Sequence, residues 1–256
     1  PHPMYSISKL MWVKEDHPDI WNRVKRICLM EDYIVYMLTG QAQIDYSIAS
    51  RIMAFNICKL DWSETALAAA GIDKRLFSKP VPTGTTAGTI RKKLAEKLGV
   101  PADCKIISVA HDQVAAAIGS GTFEEGSAVD GAGTVECITP VFDSIPKHEI
   151  IRKGSFAIVP YVIPGKYICY AFSFTGGALI DWYLSNMAGY AAQRAKGQGK
   201  SIYSVLESEM KEGPTGILVL PHFAGAATPY MDPGSKGVIA GLTVSTSESD
   251  LYRAVM

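Results

Sequence analysis

The chain lacks the features that mark several large classes of protein. Its five cysteines, Cys28, Cys58, Cys104, Cys137 and Cys169, are scattered, odd in number and without a CxxC pair. Such spacing indicates neither a zinc site nor a disulfide framework, so buried free thiols in a reducing cytoplasm are expected. An excess of one charge is also missing: 25 Lys and Arg face 25 Asp and Glu, with no long run of either sign. Proteins that bind nucleic acid through its phosphates carry a visible basic excess, so no nucleic-acid partner is expected. No apolar run approaches the ~20 residues of a membrane span, no signal peptide is visible, and no repeat of roughly 20–50 residues is found. A cytoplasmic location away from the membrane follows as the expectation.

What the chain does have is apolar mass. Hydrophobic residues make up 48% of its 256 positions, enough for a substantial core. That length suits one large domain or two ordinary ones. The chain opens on Pro1-His2-Pro3 and closes at Met256, inside what reads as a helix from Asp250. A piece of a longer protein is expected.

Taken in order, Lys9 to Lys14 predicts a helix, and Pro18 suits a first helical position. Ile20, Val24 and Ile27 form an amphipathic stripe, and Ile27 to Leu29 could be a short strand. A helix is expected from Asp32, with Ile34, Met37 and Leu38 on one face and Gly40 closing it. The run 45–50 (DYSIAS) reads as a loop. Ser63 caps a helix running to Ala70, ended by Gly71. Lys79 to Thr89 reads as a connection, and Ile90, Leu94 and Leu98 mark a helix ended by Gly99. Gly119 to Gly126 is the candidate domain boundary. Beyond it, strands are expected at Ala128-Val129, Val135 to Val141, Phe156 to Val162 and Tyr167 to Phe172. A helix follows from Gly177 to Met187, then a mobile loop from Gln193 to Lys200. Ile202 to Met210 predicts a helix, Ile217 to Leu220 a buried strand, and Val238 to Leu242 a short apolar segment.

The stretch from Lys105 to Gly121, KIISVAHDQVAAAIGSG, organises the rest. A β-like half runs into a small-residue helix, with His111, Asp112 and Gln113 between them. Ligands of open α/β sheets lie beyond the carboxyl ends of strands, and a helix N-terminus favours negative charge. Asp112 therefore reads either as a helix N-cap or as a working carboxylate. His111 is read as bracing this loop or as a structural histidine. His2, His17, His148 and His222 show no convincing partners.

Several stretches together resemble the FGGY family of carbohydrate kinases. Met4 to Trp12 (MYSISKLMW) is similar to the family's first signature. Gly237 to Leu242 with Asp250-Leu251 and Ala254 to Met256 is similar to its second. Between them, DYSIASR and FNICKLDW resemble a stretch shared by glycerol and pentulose kinases. Four such matches in order are far more specific than one. The resemblance implies an α/β, ribonuclease-H-like (actin-like ATPase) fold. It places residues 1–121 in the back half of a first, sugar-binding domain and 122–256 in the front half of a second, nucleotide-binding domain.

The resemblance further implies ATP-dependent phosphorylation of a sugar or polyol hydroxyl, in the manner of xylulose kinase, with ATP and Mg²⁺ as cofactors. Asp112 becomes the catalytic base, since a carboxylate in reach of a hydroxyl can take its proton. Gln113 falls at a position that binds substrate hydroxyls, and Met4 falls where glycerol kinases place a substrate-contacting tyrosine. Gly131, Gly133 and Thr134 match the loop that meets the nucleotide phosphates. Gly177, Ile180 and Asp181 match the helix start that lines the nucleotide pocket, against a reading of this start as small-residue packing. Asp130 is read as a turn cap ahead of a Mg²⁺ contact, and no residue is assigned as a metal ligand. The family's acidic first strand, its phosphate hairpin and its C-terminal adenosine loop are missing from these residues. The chain by itself is therefore expected to be inactive and to self-associate, with a homodimer as one form. The alternative is a non-catalytic actin-like module that senses sugar or nucleotide. A dinucleotide site at GAGT is set aside, because GxGxxG and a distal ribose acid are lacking.

Overall fold

The structure, a computed structural model, describes residues 4–256, so His2 lies outside the described residues. Contacts divide the chain into two compact units. The first comprises Pro1–Ser127, Val141–Ile145 and Ile158–Ile168; the second comprises Ala128–Pro140, Pro146–Ala157 and Cys169–Met256.

The chain begins with α1 (Ser6–Asp16) and α2 (Pro18–Trp21), then α3 (Met30–Thr39), β1 (Gln43–Asp45) and α4 (Tyr46–Ala49). A hairpin of β2 (Phe55–Asn56) and β3 (Asp61–Trp62) precedes α5 (Glu64–Ala70). Next come β4 (Lys79–Val81), β5 (Thr86–Thr89), α6 (Lys92–Leu98), β6 (Lys105–Ile107) and α7 (Asp112–Gly119). β1 runs parallel to β4, and β5 runs antiparallel to β6. The core of this region gathers Ile44, Ile52, Trp62, Leu67 and Phe77. The Trp62 indole N–H donates to the Ser78 carbonyl at 2.9 Å, giving the polar end of a buried ring its partner.

The later part holds β7 (Ala128–Ala132), β8 (Glu136–Phe142), α8 (His148–Lys153), β9 (Ala157–Pro160) and β10 (Tyr167–Ser173), with sheet order β7-β8-β10-β9. Then follow α9 (Gly177–Met187), α10 (Gly189–Gln198), α11 (Ile202–Ser208), the antiparallel pair β11 (Leu218–Leu220) and β12 (Val238–Ala240), and α12 (Glu248–Val255). Tyr183, Ala191, Ala195, Leu206 and Tyr252 form a helical core.

Local signals placed several elements closely. Ser63 Oγ accepts the Ala66 N–H, and Gly71 ends α5 at φ +61°. Elsewhere tertiary contacts override them. The stripe Ile20, Val24, Ile27 makes no continuous helix: α2 stops at Trp21, and Ile27 instead donates its N–H to the Leu76 carbonyl and bridges Phe77 as a single residue. α3 starts two residues before Asp32, which sits in its first turn and accepts the Leu29 N–H at 2.7 Å. The face of α3 is also not the expected one. Asp32 and Val35 are buried, whereas Ile34 and Met37 are 50% and 43% exposed.

The expected loop 45–50 contains the end of β1 and all of α4, because a buried Asp45 caps α4 by accepting the Ser47 N–H. The connection through Thr89 contributes β4 and β5. The expected mobile loop 193–200 is largely the end of α10. Its Ala191 and Ala195 are buried, and the distant Glu248 carboxylate accepts the N–H groups of Tyr190 and Ala191 in its first turn. β11 is not buried: Leu218 is 75% exposed. Of the five free thiols only Cys137 and Cys169 are buried, and Cys58 is exposed. His17 and His222 do have partners: His17 packs edge-on against Trp12, and His222 Nδ1 lies 2.7 Å from Ser235 Oγ.

Candidate active site

The first candidate region is the start of α7. Its alanines favour helix, and Val114 and Ala117 are fully buried, which fixes the helix against its unit. The N-cap is His111, not Asp112. Asp112 is the first helical residue, and its side chain is 83% exposed. Asp112 Oδ1 accepts the Gln113 N–H at 2.7 Å and lies 2.9 Å from His111 Nδ1. Burial holds the His111 imidazole below its usual pKa; Arg51 acts in the same direction, and the carboxylates of Asp112 and Asp45 oppose it. A neutral imidazole carries one N–H. The Nδ1 contact to Gln113 N–H is long, at 3.4 Å, so the shorter contact to Asp112 is the one the proton serves.

The expected loop around Asp45 supplies what sequence reasoning missed. Ser47 is buried, and its Oγ accepts the His111 backbone N–H at 2.8 Å. The same hydroxyl donates to Asp45 Oδ1, and the Thr83 hydroxyl donates to Asp45 Oδ2. Arg51 reaches Met4 Sδ at 3.3 Å and stacks over the Tyr5 ring at 5.1 Å. Met4 meets Arg51, whose charge acts on His111, and His111 contacts Asp112, with Gln113 half-buried next in sequence. The resemblance of DYSIASR was the signal that could have drawn attention to these residues.

Close by, Glu31 accepts the Asp45 N–H at 3.4 Å. Burial raises its pKa to about 7, with like-charge repulsion from Asp32 and Asp45 adding to the rise and hydrogen bonds from the Asp45 N–H and Ser108 opposing it.

The second candidate region lies in the other unit. Gly131 and Ala132 end β7, and Gly133, Thr134 and Val135 turn the chain into β8. Gly133 and Thr134 are exposed at this tip. The carbonyls of the tip hold the start of α9: Gly176 N–H donates to Thr134 O at 3.1 Å, Gly177 N–H to Gly133 O at 2.8 Å, and Ala178 N–H to Thr134 O at 3.2 Å. Thr175 Oγ1 donates to the Pro221 carbonyl at 2.5 Å just before the helix.

These bonds give the glycines separate reasons. A Cβ on Gly176 would sit 2.9 Å from Gly133 O, and one on Gly177 would sit 3.1 Å from it. Their small size serves the packing of hairpin on helix, and the Gly177 N–H is already engaged. Gly133 is different: an added Cβ would meet only Val135 O at 3.5 Å, an ordinary contact. Ile180 packs against the Tyr183 core, and Asp181 is exposed. Asp130 caps no turn. It pairs with Ile138 inside the sheet, and its charge and hydrogen bond add to the burial that raises the Glu136 pKa. Among the described residues there is no group of three or more His, Cys, Asp or Glu that could hold a metal ion.

Residues 1–119 match the FGGY family of carbohydrate kinases, N-terminal domain, and residues 147–256 match its C-terminal domain. Gluconokinase of Bacillus licheniformis is 30% identical, with 100% of this chain and 50% of that protein covered. Xylulose kinase of Lactococcus lactis is 26% identical over 98% of this chain and 48% of the relative. Glycerol kinase of Thermococcus kodakarensis is 28% identical over 100% and 50%.

Among solved structures, a xyloylose kinase from Brucella ovis superposes with a TM-score of 0.82 at 25% identity, covering 97% of this chain and 49% of that one. Gluconate kinase from Lactobacillus acidophilus gives 0.82 at 22% identity, covering 99% and 50%. The chain spans about half the length of the relatives it matches. The fold is the actin-like, ribonuclease-H-like one of these sugar kinases. On both matched segments, in their order along the sequence, the chain belongs to the FGGY family of carbohydrate kinases.

Proposed function

We propose that the protein phosphorylates a hydroxyl of a sugar or polyol at the expense of ATP, with Asp112 as general base. The observation that carries this reading is the exposed Asp112 carboxylate at the first position of α7, oriented by its contact with His111. Asp112 removes the proton of the acceptor hydroxyl as that oxygen bonds to phosphorus. Gln113, whose amide can both donate and accept, orients the acceptor. Phosphoryl transfer depends chiefly on alignment and charge neutralisation, so fixed placement of these groups matters more than covalent chemistry.

When bound, ATP supplies the phosphoryl group. The residues that suit it are Gly133, whose open face admits close approach of a ligand, and the hydroxyl of Thr134 at the same exposed tip. Gly177 serves it indirectly by holding that tip through its N–H. Mg²⁺ would arrive on the phosphates. Gluconate, xylulose and glycerol are the acceptors of the named relatives and the natural first candidates here.

A coupled ADP-release screen of the full-length protein against gluconate, ketopentoses, aldoses and polyols tests the proposal. Acceptor-dependent ADP release is expected. Binding of sugar and nucleotide with no release for any acceptor would favour the sensor module. The 256 residues by themselves are expected to show no turnover, and robust phosphorylation by them would refute that.

A further inference from the structure

Asp112 is exposed, so its own side chain cannot be held in place by packing. Its position is set by the backbone at the start of α7, and that backbone rests on a buried polar relay. The His111 N–H donates to Ser47 Oγ at 2.8 Å, and the Ser47 hydroxyl spends its proton on Asp45 Oδ1. A hydroxyl has one proton and two lone pairs. With the proton fixed on Asp45, a lone pair is left for His111.

Asp45 is fully buried, and both its oxygens are engaged: Oδ1 also accepts the Ser47 N–H at 2.8 Å, and Oδ2 accepts the Thr83 hydroxyl. Asp45 ends β1, opposite Val81 at the end of the parallel β4, and Thr83 follows two residues later. One carboxylate thus ties the ends of two neighbouring strands to the helix that carries Asp112.

We infer that Ser47, oriented by Asp45, is a positioning residue for Asp112, setting the register of the α7 start on the strand ends. This rests on the reading of Asp112 as the base. Reacting groups misplaced by as little as 1 Å can cost about 10²-fold in rate, so a relay of this kind controls kcat without contacting substrate.

The test uses the full-length protein and its fastest acceptor among xylulose, gluconate and glycerol. It compares Ser47→Ala, Asp112→Asn and the double variant, with Ser47→Thr as the conservative rescue. Ser47→Ala is expected to lower kcat roughly 10- to 100-fold with an unchanged KM for ATP. It should also speed amide hydrogen exchange across residues 109–114 while leaving α5 unaffected. Ser47→Thr, which keeps the hydroxyl, should restore both. The double variant should be no slower than Asp112→Asn alone, because a base that is absent cannot be mispositioned.

Normal kcat or unaltered exchange in Ser47→Ala, beside a slow Asp112→Asn, overturns the positioning role and leaves the base intact. Multiplying rate losses in the double variant overturn it too. Near-normal kcat in Asp112→Asn overturns the base itself and the inference with it. If Ser47→Ala does not fold, Ser47→Cys against Ser47→Thr reads the same effect: a slower Cys variant with unchanged KM for ATP supports the relay, and equal rates overturn it.

Discussion

Two helix starts carry the candidate chemistry, and they are held by opposite means. The start of α7 rests on side chains: the buried Asp45 and Ser47, with the half-buried Thr83, fix His111, and His111 orients Asp112. The start of α9 rests on the backbone: three consecutive N–H groups donate to the carbonyls of Gly133 and Thr134, and Gly176 is small because the approach is close. A side-chain relay fails when a hydroxyl or carboxylate is removed. A backbone clamp fails when an atom is added. The α7 device leaves an exposed carboxylate at the first helical position, whereas the α9 device engages its leading N–H groups within the protein.

The sharpest way to break this contrast is Asp112→Asn. Asparagine still accepts the Gln113 N–H, so stability should stay within about 1 kcal/mol. As the amide is an ineffective base, kcat should fall roughly 10²–10⁴-fold, read under conditions where chemistry limits turnover. Near-normal kcat would move the base elsewhere.

At α9 the largest effect should be on folding. Gly176→Ala places a Cβ 2.9 Å from a backbone oxygen, and overpacking of this kind costs roughly 1–3 kcal/mol. Denaturant unfolding monitored by tryptophan fluorescence and circular dichroism would register the loss; a neutral substitution would mean that the hairpin yields easily.

Gly133→Val should do the reverse, because its Cβ meets only an ordinary contact at 3.5 Å. Stability should change little while the KM for ATP rises far more than the KM for the acceptor. An unchanged KM for ATP in the folded variant would reduce the tip to a plain turn.

The smallest effect expected concerns Glu31, whose carboxyl is pushed up to about 7 from 4.5 by burial. The folded state then holds a proton that the unfolded state releases, so stability declines as pH rises between those values. Glu31→Gln should flatten that decline and be the more stable form above pH 7. Parallel melting curves of the two proteins across this range would contradict the reading.

The elements legible from sequence were those whose instructions are local. Ser63 with Gly71 bounded α5, and β-like apolar runs marked β8 and β10, because a cap, a left-handed glycine and a strand-forming composition each act within a few residues. α10 was misread because the acid that caps it, Glu248, lies far along the chain. The buried face of α3 was misread because Asp32 is satisfied by Ser78, whose hydroxyl donates to it at 2.6 Å, so a carboxylate sits inside while Ile34 stays outside. Among the candidate site residues, Asp112 and the glycine-threonine tip stood out by motif; Ser47 lay inside the DYSIASR stretch, but its bond to the His111 N–H, 64 positions away, left no local mark.

The sequence by itself therefore determined the family and the α/β class, because these reside in local period and motif. Only the tertiary structure decided that His111 is the cap, that Asp45 and Ser47 hold it, and that Gly176 answers to Gly133. The hold on His111 and the fit of Gly176 each depend on a hydrogen bond or a close approach between residues more than forty positions apart.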